Sequence, residues 1–366
     1  MNRENIIPIM VIGFIIGAVG LAFVGSEYIE DLANANVKNE AQILIEGYNI
    51  GNSISNEEET QRYFIEGMKR HYDIAVFGNS RGMQIYNANF PNMTLVNHAI
   101  PGTDIRRIQR FSEIYVQKGN LPEIVIIGAD PNTVFSEESK EEYEEENILD
   151  ELGRFSDHFH YLNMVQNIFE VENIKIILGA DTSYYATEER KGEQIIRRID
   201  GMSHPILVDR QTSDAEHVDR IALQGKATEI LQITPERTYA FEMYIHTLRE
   251  MNVTPILICA PYHPLRYAKY QEAKMENREI TSLDDFEEYI RDFAHKNEIL
   301  VIGSYDPHTY NIISTDFVDG IHPKPEAFAK IVSAHSHELY DLLYTDIYQT
   351  YDEYAAALAE CQAELF

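Results

Sequence analysis

Two short stretches of the chain carry side chains whose types and spacing suit acyl chemistry. The first is Gly78-Asn79-Ser80-Arg81-Gly82, a hydroxyl between glycines that allow a tight turn and close approach of a ligand. The second is Asp319-Gly320-Ile321-His322-Pro323. A carboxylate three residues before an imidazole can fold back to accept its ring N–H, leaving the other ring nitrogen free to act as a base. A serine hydroxyl is a weak nucleophile until such a base is within reach. Ser80, His322 and Asp319 are therefore a candidate nucleophile, base and orienting carboxylate. Each stretch taken alone has an ordinary reading as well, a helix-capping serine in one case and a satisfied surface histidine in the other.

Uniting residues so far apart is the task of the elements between them. Four apolar runs rich in β-branched residues, Ile74 to Phe77, Leu95 to Asn97, Ile124 to Ile127 and Ile256 to Ile258, each end at small or polar residues, and Leu300 to Ile302 is a fifth. Continuous runs of this kind suit strands buried on both faces of a parallel sheet. Helical patterns alternate with them at Asp104 to Lys118, Pro235 to Met251, Leu283 to Asn297 and Pro325 to Tyr344. The alternation predicts an α/β fold, a doubly wound, flavodoxin-like parallel sheet with helices on both faces. Ligands of such sheets sit at the carboxyl ends of the strands. Ser80 follows the first strand, and the Asp319 to His322 turn precedes the last long helix.

Order and spacing of these blocks resemble the SGNH or GDSL-like hydrolase superfamily over roughly Tyr72 to Tyr344. The matching blocks are Gly78-Asn79-Ser80, then Gly102 in Asn97-His98-Ala99-Ile100-Pro101-Gly102, then Gly128-Ala129-Asp130-Pro131, then Asp319 to His322. The resemblance implies an SGNH-type fold with Ser80, Asp319 and His322 as a catalytic triad, and with the Ser80 and Gly102 backbone N–H groups in an oxyanion hole. Two positions depart from the family pattern. Asn79 stands where the family has aspartate, a structural position. Asp130 stands where the family has an oxyanion-hole asparagine, and an ionised carboxylate cannot donate. Loss of one such donor typically costs about 10²- to 10³-fold in rate. A protonated Asp130, or Asn132 as substitute donor, would restore it; otherwise the reaction differs. The Gly-Asn-Ser-Arg and Gly-x-Asp-Pro blocks are similar to those of membrane-anchored envelope proteins that take part in teichoic-acid D-alanylation and in alginate or cellulose O-acetylation. That branch implies an acylated cell-envelope polysaccharide as substrate and a membrane-bound O-acyltransferase as partner.

The N-terminus supports the same placement. Ile6 to Val24 is an uninterrupted run of 19 apolar, Gly or Pro residues. As a helix it would span about 29 Å, close to the roughly 30 Å hydrocarbon core of a bilayer. Arg3 precedes it and Glu27, Glu30 and Asp31 follow, so the positive-inside tendency predicts a single-pass membrane protein with a cytoplasmic N-terminus and an extracytoplasmic main domain. A cleaved signal peptide, with Val24-Gly25-Ser26 as its cleavage site, is the competing reading. Residues 1–26 are thus read as an anchor, 27–70 as a helical stalk, 71–345 as the α/β domain and 346–366 as a helical tail. Two interruptions, about 136–151 (strongly acidic) and 183–232, read as insertions, either lids over the strand ends or solvated excursions.

The balance of 60 acidic against 30 basic residues, a net charge of −30, argues against nucleic acid as a partner. The two cysteines, Cys259 in a core strand and Cys361 in the tail, suggest neither a disulfide framework nor a thiol nucleophile. The proposed chemistry needs no cofactor. No cysteine and histidine spacing resembles a structural zinc site, and His158 with His160 lacks further ligands, so no metal is expected. His335 and His337 fall on the last helix and read as surface residues. Arg81 can bind an anionic substrate group or form a salt bridge within the fold. Tyr262 and His263, just past the fourth strand, can line the substrate cleft or pack as an ordinary loop. A non-catalytic SGNH-like domain serving envelope binding or assembly is the reading from another functional class.

Overall fold

The computed structural model describes residues 37–46, 50–51, 56–135, 196–197, 203–204, 215–224, 232–276 and 281–363. The Ile6 to Val24 anchor, the acidic stretch 136–151 and the His158–His160 pair lie outside the described residues. Among the described residues no helix is long and apolar enough to cross a membrane.

Eight strands are present among the described residues: β1 (Ile50–Gly51), β2 (Ile74–Phe77), β3 (Leu95–Asn97), β4 (Ile124–Gly128), β5 (Ile196–Arg197), β6 (Ser203–His204), β7 (Thr254–Cys259) and β8 (Leu300–Gly303). Five of them form one sheet in the order β3-β2-β4-β7-β8. Every pair in it is parallel, with Ile74 opposite both Leu95 and Ile124, Ile126 opposite Ile256, and Ile258 opposite Ile302. The order reverses between β2 and β4. In a doubly wound sheet the crevice opens at the carboxyl ends on either side of such a reversal. Ser80 follows β2, and Asp130 follows β4.

Strand periodicity explains why the runs are wholly apolar. Ala75, Phe77, Val125, Ile127, Leu257 and Cys259 pack into one core cluster, while their neighbours Ile74, Val76, Ile124, Ile126, Ile256 and Ile258 pack into the other. Alternate side chains of each strand point to opposite faces, and helices cover both. On the first face lie a helical segment α1 over 37–45, α2 (Glu57–Gly67), α3 (Ile105–Lys118), α6 (Pro235–Glu250) and α8 (Leu283–Lys296). On the second lie α5 (Ala215–Gln224), α9 (Pro325–Ala334) and α11 (Tyr351–Ala363). The short helices α4 (Pro131–Val134) and α10 (Ser336–Leu339) and the longer α7 (Pro264–Glu276) complete the described set.

Helix ends follow local chemistry. Asp104 caps α3 by accepting the Arg107 N–H, and Gly119, with φ 62°, ends it in the left-handed conformation that glycine adopts without strain. Ser282 and Asp285 form a reciprocal capping box on α8.

Three sequence expectations are corrected. The described part of the stretch read as a stalk is packed into the domain, because Ala41 and Leu44 of α1 and Phe64 and Ile65 of α2 are buried in the first cluster. The single helix expected over 325–344 breaks at His335, continuing as α10 and a π-helical turn over Tyr340–Tyr344. His335 is not a free surface residue: it is half-buried and shares a 2.7 Å hydrogen bond with the Tyr310 hydroxyl. Beyond the main sheet, β1 pairs antiparallel with β5, and β5 with β6, which ties the segment before α2 to the region read as the second insertion.

If α2 is core rather than stalk, Phe64→Ala lowers unfolding free energy by about 3–5 kcal/mol, as for other buried phenylalanines. Urea denaturation checks this, and a loss under about 1 kcal/mol would return α2 to the periphery.

Candidate active site

Ser80 opens a 3₁₀ turn, Ser80–Gly82, directly after β2. Three neighbours shape the turn. The Asn79 side chain accepts the Arg81 N–H at 3.0 Å. Gly78 runs so close to β4 that a Cβ there would lie 3.2 Å from the Gly128 Cα. Buried Asn97, at the end of β3, donates to the Gly82 and Ile85 carbonyls at 3.0 and 3.1 Å and accepts the Ala99 N–H at 2.9 Å. The turn therefore holds the hydroxyl at the carboxyl edge of the sheet. Sequence reasoning assigned Asn97 no role; its only signal is an amide at the last position of an apolar strand.

The second half of the site is a compact turn before α9. Asp319 Oδ1 accepts the backbone N–H groups of Ile321 and His322 at 2.7 and 2.8 Å, a side-chain mimic of a backbone turn. Its Oδ2 lies 2.7 Å from His322 Nδ1, and His322 Nε2 lies 2.9 Å from Ser80 Oγ, a contact across 242 positions of chain. Ionised Asp319 can only accept, so Nδ1 carries the proton and the Nε2 lone pair faces the hydroxyl. That arrangement can take a proton from Ser80 as its oxygen attacks a carbonyl carbon.

Burial by itself would raise the Asp319 carboxyl, but the hydrogen bond and charge of His322, with the two backbone N–H groups, outweigh it and hold the carboxyl below its ordinary range.

The residues expected around the triad occupy different positions. Gly102 lies on an exposed turn with φ 66°, nothing stands within 4 Å of where a Cβ would be, and its carbonyl accepts Arg107 Nη1 at 2.9 Å. Asn132 is exposed in the first turn of α4. Asp130 serves as an acceptor: its Oδ1 receives Arg81 Nη1 at 2.7 Å and the Tyr262 hydroxyl at 3.1 Å. Arg81 does not reach into the cleft. It is buried, donates also to the Ala260 carbonyl, and lies 3.6 Å from the centre of the Tyr262 ring. Burial would lower the guanidinium, but Asp130 outweighs it and raises it further, so the charge is retained. Of the two readings left open for Arg81, the structure carries the salt bridge. Tyr262 is the partly exposed lid of that pair, and His263 is fully buried behind it. Cys259 is buried in β7 and its thiol is pushed up to about 12, foremost by burial, so it is no nucleophile. Among the described residues no cluster of three or more histidine, cysteine or carboxylate side chains could hold a metal. No protein-family model and no curated protein sequence matches the chain.

Two measurements probe the site. A carboxylate whose folded pKa lies below the unfolded value, about 3.9, stabilises the fold above that pH, and the contribution is lost as pH falls through the folded value. Asp319→Asn is therefore less stable than the native chain at neutral pH, and the gap closes as the pH drops below about 4; a gap independent of pH in denaturant midpoints would contradict this. Asp130→Asn leaves the Arg81 charge buried without its counter-ion and lowers stability by about 3–5 kcal/mol, whereas the Arg81→Met/Asp130→Leu double variant loses less. Equal losses in the two variants would show that the pair is not coupled.

Proposed function

We propose that the chain is an SGNH-like, serine-dependent acyltransferase or esterase that acts on an acylated cell-envelope glycan through an acyl-Ser80 intermediate. The observation that supports this best is the unbroken hydrogen-bonded chain from Ser80 through His322 to Asp319, at 2.9 and 2.7 Å. In the reading, His322 Nε2 takes the Ser80 proton as Oγ bonds to the carbonyl carbon. The carbonyl electron pair moves onto oxygen, where the Ser80 and Gly102 N–H groups stabilise it. Collapse expels the alcohol, which receives the proton from His322 and leaves the acyl group on Ser80. A sugar hydroxyl, or water, then gives its proton to His322 and takes the acyl group by the same steps in reverse. The Ile6 to Val24 run favours a membrane-bound setting with a bilayer-embedded acyl donor as partner.

Asp130 favours a second reading. A carboxylate committed to Arg81 and Tyr262 leaves the third oxyanion donor unfilled, which suits a slow transferase or a non-catalytic binding domain of the envelope.

A fluorophosphonate probe distinguishes the two, because it phosphonylates a serine only where a base activates it. The expected result is covalent labelling of Ser80 that is abolished in Ser80→Ala and in His322→Ala, together with at least about 10³-fold loss of small acyl-ester turnover in both variants. Folded native protein that resists the probe would transfer the lead to the binding reading.

A further inference from the structure

Helix α5 belongs to the stretch read from sequence as an insertion, yet it is packed against the turn that carries Asp319 and His322. A Cβ on Gly320 would lie 2.4 Å from the Ala222 amide nitrogen and 2.5 Å from its Cα, so the turn runs directly over the α5 backbone. Val218 and Ala222, on the same helix, are fully buried. Between them in the chain, Asp219 faces His263, with Oδ1 and Nε2 3.3 Å apart. Both atoms are buried and neither makes a hydrogen bond among the described residues, so the contact between them is one of charge and packing. His263 Nδ1 accepts the Leu265 N–H at 3.3 Å, which places the single proton of the neutral ring on Nε2, the ring nitrogen beside Asp219. The same ring meets Phe317 edge-on, with centroids 5.1 Å apart, and Phe317 leads into Asp319. His263 thus touches the insertion helix on one side and the root of the Asp319 turn on the other.

We propose that Asp219 and His263 are a positioning pair that seats α5 against the Asp319–His322 turn, so that the inserted helix sets the reach of His322 to Ser80. The pair touches no reacting atom. The proposal deepens the acyl-transfer reading and rests on it for the kinetic readout alone. An imidazole displaced by an ångström loses the line to its nucleophile, and displacements of that size cost about 10²-fold in rate.

The test uses the full-length chain with His263→Phe, His263→Gln, Asp219→Ala and Gly320→Ala. Three quantities are read: the rate of Ser80 labelling by the fluorophosphonate, the downfield proton resonance of the His322 Nδ1–H shared with Asp319, and the thermal unfolding midpoint. His322→Ala identifies the resonance. His263→Phe, Asp219→Ala and Gly320→Ala are expected to slow labelling about 10-fold or more and to broaden or abolish the resonance. His263→Gln keeps a polar group beside Asp219 and retains both. Unchanged labelling and an unchanged resonance in His263→Phe and Asp219→Ala overturn the proposal, as does a lowered midpoint without either change. Should His263→Phe fail to fold, Asp219→Ala and the rescue in His263→Gln carry the test. A native chain that shows the resonance but resists the probe sinks the acyl-transfer reading, while loss of the resonance in the variants still supports the positioning pair.

Discussion

An arginine with almost no water around it must be held by fixed partners, and Arg81 draws its partners from just past the ends of two neighbouring strands, β4 and β7. Its side chain is 5% exposed and that of Asp130 is 6% exposed, at a separation of 2.7 Å. Asp130 follows β4; Ala260 and Tyr262, which accept from and cover the guanidinium, follow β7. Tyr305, after β8, reaches back to the Ala129 carbonyl. A buried pair of this kind contributes little net stability compared with an apolar core, but losing one partner is costly, so the geometry is held to a narrow range. Because Arg81 directly follows Ser80, whatever fixes the guanidinium also fixes the turn that presents the hydroxyl.

The same pair explains the departure at Asp130. A carboxamide there would free a donor but leave a buried positive charge without its counter-ion. The carboxylate neutralises the arginine and gives up that donor. In the proposed acyl-transfer reading, rigidity of the Ser80 turn and a third oxyanion donor are thereby set against each other at one position.

The other half of the site is supported differently. The Asp319 turn is closed by its own backbone N–H groups, which makes it stiff in itself. Its placement relative to Ser80 depends on what it leans on. Phe317 and the bridge from Phe317 to Pro323 anchor it to the second core cluster, and α5 contacts it at Gly320. A segment that looks like an accessory in the linear chain therefore backs the Asp319–His322 turn. The small sheet formed by β1, β5 and β6 links the same insertion to the residues just before α2.

Much was legible in the residues themselves. The five strands of the main sheet were readable as apolar runs because helices cover both faces of the sheet and polar residues fall at strand ends, as Asn97 does in β3. The Asp319-x-x-His322 spacing was readable because it closes a hydrogen bond within one turn, a local matter of covalent geometry. The fate of Arg81 was not readable, since a flexible charged side chain can face solvent, substrate or a partner 49 positions away, and only the packing of β4 beside β2 selects Asp130. Likewise α2 resembled a stalk until Phe64 and Ile65 met α3, and the contact of Gly320 with Ala222 joins two segments whose own patterns say nothing of each other. The sequence by itself determined which elements form and which residues have the chemistry. The tertiary structure decided which charges neutralise one another and which segment backs the site, because long-range contacts depend on the whole fold rather than on local periodicity.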